Sequence, residues 1–189
     1  MSIQDKASLS PSDIRRKRRQ RIFEMVLFAM LGALMFASKL AMEILPNIHL
    51  VGMFTILFTA LFRVKALSPI YIFVFISGIY MGFSTWWIPY LYIWIVLWGM
   101  AMLIPKRTTP AICVVLYPVL CALHGFLFGT LYAPVYALIM NFSFKEMLSW
   151  IVVGLSFDAV HGISNLALGT LVMPLSTLMK RLLKGRYSF

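Results

Sequence analysis

Two long stretches without a formal charge govern what this chain can fold into: Ala66 to Pro105 and Thr108 to Phe144. Each exceeds a single bilayer crossing, which takes about 20 apolar residues. Backbone polar groups in lipid must bond within their own segment, so helices are expected throughout. Composition agrees. Hydrophobic residues make up 61% of the chain and charged residues 12%, with a mean hydropathy of +0.89. Such a chain cannot cover its surface with polar groups, which excludes an ordinary soluble domain, a disordered chain and a secreted disulfide scaffold. The 189 residues suffice for about five to seven spans.

Charge punctuates the apolar runs. Residues 1–20 are polar and basic, with Arg15-Arg16-Lys17-Arg18-Arg19 followed by Arg21. The first apolar run, Ile22 to Ile44, is too long for a signal-peptide core and reads as a retained span. Ser12 and Asp13 are candidate caps for a short surface helix in the tail. Pro46 and Asn47 break span one, and a short second span ends at Arg63-Val64-Lys65. Gly82, Ser84 and Pro89 mark the turn between spans three and four. Span four ends at Lys106-Arg107. The run from Thr108 to Phe144 fits either one long span with an outer extension or two spans. The last span follows Lys145-Glu146 and ends in Lys180-Arg181, Lys184 and Arg186.

Cytoplasmic segments collect Lys and Arg. Six spans with a cytoplasmic N-terminus place seven basic residues in the tail on that side. Arg63, Lys65, Lys106, Arg107 and the C-terminal four join them, giving fifteen of the 17 Lys and Arg. Seven spans would put the C-terminal cluster outside. The expected architecture is therefore an all-α integral membrane protein: a six-transmembrane-helix bundle with N and C termini cytoplasmic. Its parts are a basic tail (1–21), a membrane domain (22–183) with an outward-facing pocket, and a C-terminal end (184–189). The tail's charge is explained by topology and anionic lipid, so no nucleic-acid partner is expected.

No GxxxxGK[ST], HExxH, CxxC or GxSxG motif occurs, so the chain is expected neither to hydrolyse ATP itself nor to hold a metal. Cys113 and Cys121 are eight residues apart, about 12 Å along a helix, too far for a disulfide. They read as small apolar fillers.

Within the spans, four patterns carry chemistry. Ala29, Ala33, Ala37 and Ala41 form a small-residue row on span one, with Gly32 beside it. Such rows let helices approach closely in lipid, either inside the bundle or against another membrane protein. Lys39 and Glu43, four apart, are placed to pair, or Lys39 snorkels. Trp87, Tyr90, Trp94 and Trp98 form an aromatic stripe that descends about 16 Å, and its first three are a candidate wall for a flat ring. Asp158, His161 and Asn165 share one face of the last span, where polar groups are costly unless paired or hydrated. Tyr132, Tyr136, Asn47 and His49 lie toward the same outer side. Lone His124 reads as an interhelical bond.

Length, six spans, the Ala33-x-x-x-Ala37-x-x-x-Ala41 row and an outer pocket make the chain similar to the substrate-binding S components of energy-coupling factor (ECF) vitamin transporters. Leu45-Pro46-Asn47-Ile48-His49-Leu50 and Trp86-Trp87-Ile88-Pro89-Tyr90-Leu91-Tyr92 resemble one subgroup, of the hydroxymethylpyrimidine or pyridoxine type. The resemblance implies a subunit of a prokaryotic plasma membrane with no cofactor of its own. Its partners would be a transmembrane coupling subunit and two ATPase subunits that use ATP, and the S component would topple to release its vitamin. It also implies that the alanine row docks the coupling subunit. Asn47, His49, Trp87, Tyr90, Trp94, Tyr132, Tyr136, Asp158, His161 and Asn165 are the expected ligand contacts. Two rivals stand beside it: a membrane enzyme using Asp158 and His161 for proton transfer, and an assembly subunit without a ligand.

Overall fold

A computed structural model describes residues 10–187. All regular structure among them is helical. The helices are α1 (Pro11–Ala41), α2 (Val51–Phe62), α3 (Leu67–Met81), α4 (Trp87–Met102), α5 (Pro110–Phe126), α6 (Phe128–Met140), α7 (Phe144–Gly169) and α8 (Val172–Leu182). Four continuous helical stretches are long and apolar enough to cross a membrane: Pro11–Ala41, Val51–Met81, Pro110–Met140 and Phe144–Gly169. Trp87–Met102 is shorter and equally apolar.

The basic segment is not a separate tail helix. From Pro11 onward it is the first third of α1, and its cap is Ser10, whose hydroxyl accepts from the Asp13 amide. Sequence pointed instead to Ser12 and Asp13. Residues 1–9 of the tail, and 188–189 at the other end, lie outside the described residues.

Val51–Met81 is a hairpin rather than one rod. A short 3₁₀ turn, Arg63–Ala66, joins α2 to α3, and Arg63 takes φ 55°. Contacts with α1 fix the direction. Glu24 pairs with Lys65 at 2.9 Å, Phe36 meets Tyr80, and Lys39 reaches Met81 Sδ at 3.5 Å, so α1 and α3 run parallel. The end of α2 sits beside the lower part of α1, through Phe28 and Phe62. Helix α4 then descends, with Trp98 Nε1 donating to Arg63 O.

The second half is a long antiparallel pair. Helices α5 and α6 climb together past α7: Pro118 faces Gly169, Gly125 faces Gly162, and Gly129 faces Asp158. The chain thus alternates in direction along α1, α2, α3, α4, the α5–α6 pair and α7. Residues 128–140 extend a kinked helix outward rather than folding back as a cap. Asn141, left-handed at φ 56°, ends it, and a Ser143–Glu146 capping box starts α7. The helix α2 lies at the centre. All of its residues except Ala60 are buried, which suits a helix that is apolar all round.

Glycine permits a close crossing of α5 and α7. A Cβ on Gly125 would lie 2.8 Å from Gly162 Cα, and one on Gly162 would lie 2.5 Å from the Phe126 ring. Backbone cannot yield there as a side chain could. Gly125→Val is expected to cost about 3 kcal/mol, the upper end for overpacking. An unchanged midpoint in detergent unfolding would mean that the two helices separate easily.

The structure also gathers the charges. Arg16, Arg19 and Arg186 line one groove. Arg63, Lys106 and Lys180 line another at the same end of the bundle. Lys145 and Glu146 stand at the far end of α7. The two cysteines are free and buried.

Candidate functional site

Residues from five elements meet inside the bundle. The loop after α1 turns through Asn47, which is left-handed at φ 59°, and its carbonyl lies 3.3 Å from the Ser164 hydroxyl on α7. That turn inserts His49. Its ring lies 4.8 Å from the His161 ring and 6.1 Å from Trp94. His124, on α5, lies 5.6 Å from Trp94 on its other side. Phe128 closes the ring of contacts against His161 at 4.9 Å and Trp94 at 6.0 Å. Asn165 lies one turn deeper on α7, where Cβ atoms on Gly52 and Gly125 would both touch its amide.

These groups are buried, except His49, which is half-buried, and each keeps a polar atom unspent. Trp94 is 1% exposed, His124 and Asn165 0%, and His161 3%. Among the described residues, six of their polar atoms have no hydrogen-bond partner: His49 Nδ1, Trp94 Nε1, His124 Nδ1, His161 Nε2, Asn165 Nδ2 and Asn165 Oδ1. Buried polar atoms are nearly always paired, and each exception calls for a reason. Five side chains sharing one region call for a common one.

The donor pattern can be read further. His124 Nε2 lies 3.1 Å from Ile93 O, so that nitrogen donates and Nδ1 of the neutral ring is left to accept. Trp94 Nε1 can only donate, whereas Asn165 offers both functions. No formal charge belongs to the cluster. It suits a neutral or weakly basic flat molecule with donors and acceptors on its edge. Among the described residues, no three His, Cys, Asp or Glu side chains are placed to hold a metal ion.

The other expected contacts are distributed around this centre. Tyr90 packs on Trp94 at 5.6 Å and Phe73 backs Trp94 at 6.0 Å. Trp87 belongs to a different contact. Its indole donates to Val74 O and its ring meets Phe75 and Phe83, so it ties α4 to α3. Tyr132 stacks on Phe128 and donates to Trp86 O. Tyr136 lies farther out, against Trp150 and Phe142.

Asp158 has a partner already. Both carboxylate oxygens accept from the Gly129 amide, at 3.0 and 3.1 Å. Gly129 is in the first turn of α6, where free amides need acceptors and a negative charge is favoured. Asp158 thus secures the break between α5 and α6. Asp158→Ala is expected to lower stability by about 1–3 kcal/mol, the cost of stranding a buried donor. Thermal unfolding checks this. Lost binding at unchanged stability would instead make the carboxylate a ligand contact.

Phe128 has no role in the sequence reading, and His124, read there as an interhelical bond, does bond Ile93 O across to α4 while its ring also joins the centre. Their signal was the four-residue spacing His124, Phe128, Tyr132, a second polar-aromatic face opposite His161 and Asn165.

On the outside of α1, Ala29, Ala33, Ala37 and Ala41 are all exposed, flanked by exposed Met25, Met30 and Leu34. Gly32 points the other way, into α3. Among the described residues, the alanine row therefore packs against no other helix.

A scan against protein-family models, a search of curated proteins and a search of solved structures each return no match.

Proposed function

We propose that this chain is the substrate-binding S component of an ECF-type vitamin uptake transporter, set in a prokaryotic plasma membrane as six spans with both termini cytoplasmic. Its ligand is a small flat heterocycle of the hydroxymethylpyrimidine or pyridoxine kind. One observation carries the reading: six unpartnered polar atoms on His49, Trp94, His124, His161 and Asn165 converge in a buried, aromatic-walled centre. Pockets for small ligands combine apolar walls with a few directed polar groups.

Two features support it. The basic residues of the turns and of both ends lie together, as expected for a cytoplasmic face. The alanine row is uncovered, as a docking face for a coupling subunit requires. ATP would be spent by the two partner ATPase subunits, since this chain has no phosphate-binding loop.

The roles divide accordingly. Trp94 and Tyr90 present ring faces and edges to the ligand. His49, His124, His161 and Asn165 bond its polar edge. The Asn47–His49 turn closes over it. The test is tryptophan fluorescence of the purified protein titrated with B vitamins and their precursors. Saturable quenching by one compound, lost in Trp94→Phe, is the expected result. Turnover of a compound by the isolated protein, or no response to any, would overturn the reading.

A further inference from the structure

A cavity of about 280 Å³ opens at the basic end of the bundle, apart from the histidine centre. Four parts of the fold build it: the end of α2, the α4–α5 connection, the start of α5, and α8. Arg63, Lys106 and Lys180 line it together with Thr108 and Ser176, and no lining residue is acidic.

Arg63 is held in place. Its Nη1 donates to Ile104 O at 2.9 Å and its Nη2 to Met102 O at 2.7 Å. Those carbonyls lie at the end of α4, where a cation is favoured. A guanidinium has five N–H donors, so three are left. Its backbone, at φ 55°, is held in a conformation that few residues other than glycine adopt. Lys106 and Lys180 approach from other segments. Three cations around one small cavity repel one another unless an anion lies between them. Positive charge at the cytoplasmic end accounts for basic residues there, but not for three of them facing one cavity without a carboxylate.

We propose that this cavity binds a single phosphate group with net negative charge, of an anionic lipid headgroup or of a free phosphate compound, through Arg63, Lys106 and Lys180. Arg63 supplies the fixed, forked donor. The two lysines add mobile charge, and the Thr108 and Ser176 hydroxyls complete the polar lining. The apolar wall of Leu61 and Met173 faces whatever is attached to the phosphate. The inference does not rest on the vitamin-site reading.

The test uses the full chain in phosphate-free detergent. Thermal stability is followed against inorganic phosphate, with chloride at equal ionic strength as reference. In parallel it is followed in bilayers of phosphatidylcholine with or without phosphatidylglycerol. Lys106→Gln/Lys180→Gln removes two cations and leaves Arg63 and its bonds in place. Lys184→Gln/Arg186→Gln removes two charges outside the cavity. The expected result is a saturable rise in stability in at least one arm. Its apparent affinity should be at least about tenfold weaker in the Lys106/Lys180 variant and unchanged in the Lys184/Arg186 variant. A response to phosphatidylglycerol alone assigns a headgroup, and one to inorganic phosphate assigns a soluble source. No response in either arm, or equal weakening in both variants, overturns the proposal.

Discussion

Asn165→Leu is expected to abolish ligand binding without weakening the protein. Asn165 is fully buried, and neither atom of its amide has a partner. A polar atom buried without a bond costs about 1–3 kcal/mol. Leucine has nearly the same shape and removes both atoms. Unliganded Asn165→Leu should therefore range from unchanged to about 2 kcal/mol more stable. Binding should move oppositely. Two hydrogen bonds lost in a dry site weaken affinity by about a hundredfold, at 1.4 kcal/mol per tenfold. The pair of measurements is a thermal midpoint and a fluorescence titration. A destabilised protein that still binds would make Asn165 a packing residue and remove it from the site.

Ala37→Trp is expected to abolish uptake by whole cells while purified protein binds ligand as before. Ala37 is exposed on a face of α1 that meets no other helix. An indole there meets nothing within the chain, so the fold and the histidine centre should be untouched. Against a partner helix the same ring would hold the two backbones apart, because close packing in lipid depends on small residues. Loss of binding together with uptake would show that the row matters to the bundle itself. Full uptake would show that nothing docks there.

The pattern of charge made the fold readable. The apolar runs between basic pairs marked an all-helical chain, and the basic residues of two grooves do lie at one end of the bundle. Other features were hidden for physical reasons. The charges of Arg63-Val64-Lys65 marked the reversal there, but not the positive φ that Arg63 adopts, which a non-glycine residue does not advertise. The continuity of α1 was hidden because six charges looked like the end of a helix, although a helix leaving a membrane can run on through charge at no cost. At the site, spacing placed His161 and Asn165 on one face, as the structure does. It grouped Asp158 with them and could not show that a neighbouring kink needed its carboxylate. Trp87 shared a stripe with Trp94, yet its partners lie on α3. Side chains in one stripe still fan outward, and only the positions of neighbouring helices decide which of them share a space. His124 was discounted as single. Its companions came from four other segments, and no local pattern reveals those.

Helix α1 also has a mechanical meaning. It runs unbroken from Pro11 to Ala41, a length of about 46 Å at 1.5 Å per residue. Its upper half packs on α3 at Gly32, and lower down the Glu24–Lys65 pair ties it to the 3₁₀ turn before α3, while its first turns carry Arg15 to Arg19. It is therefore a pointer welded to the bundle. Any change in the bundle's inclination to the bilayer is copied by the arginine-bearing end without a hinge between them. A probe attached near Arg16 would read that inclination directly.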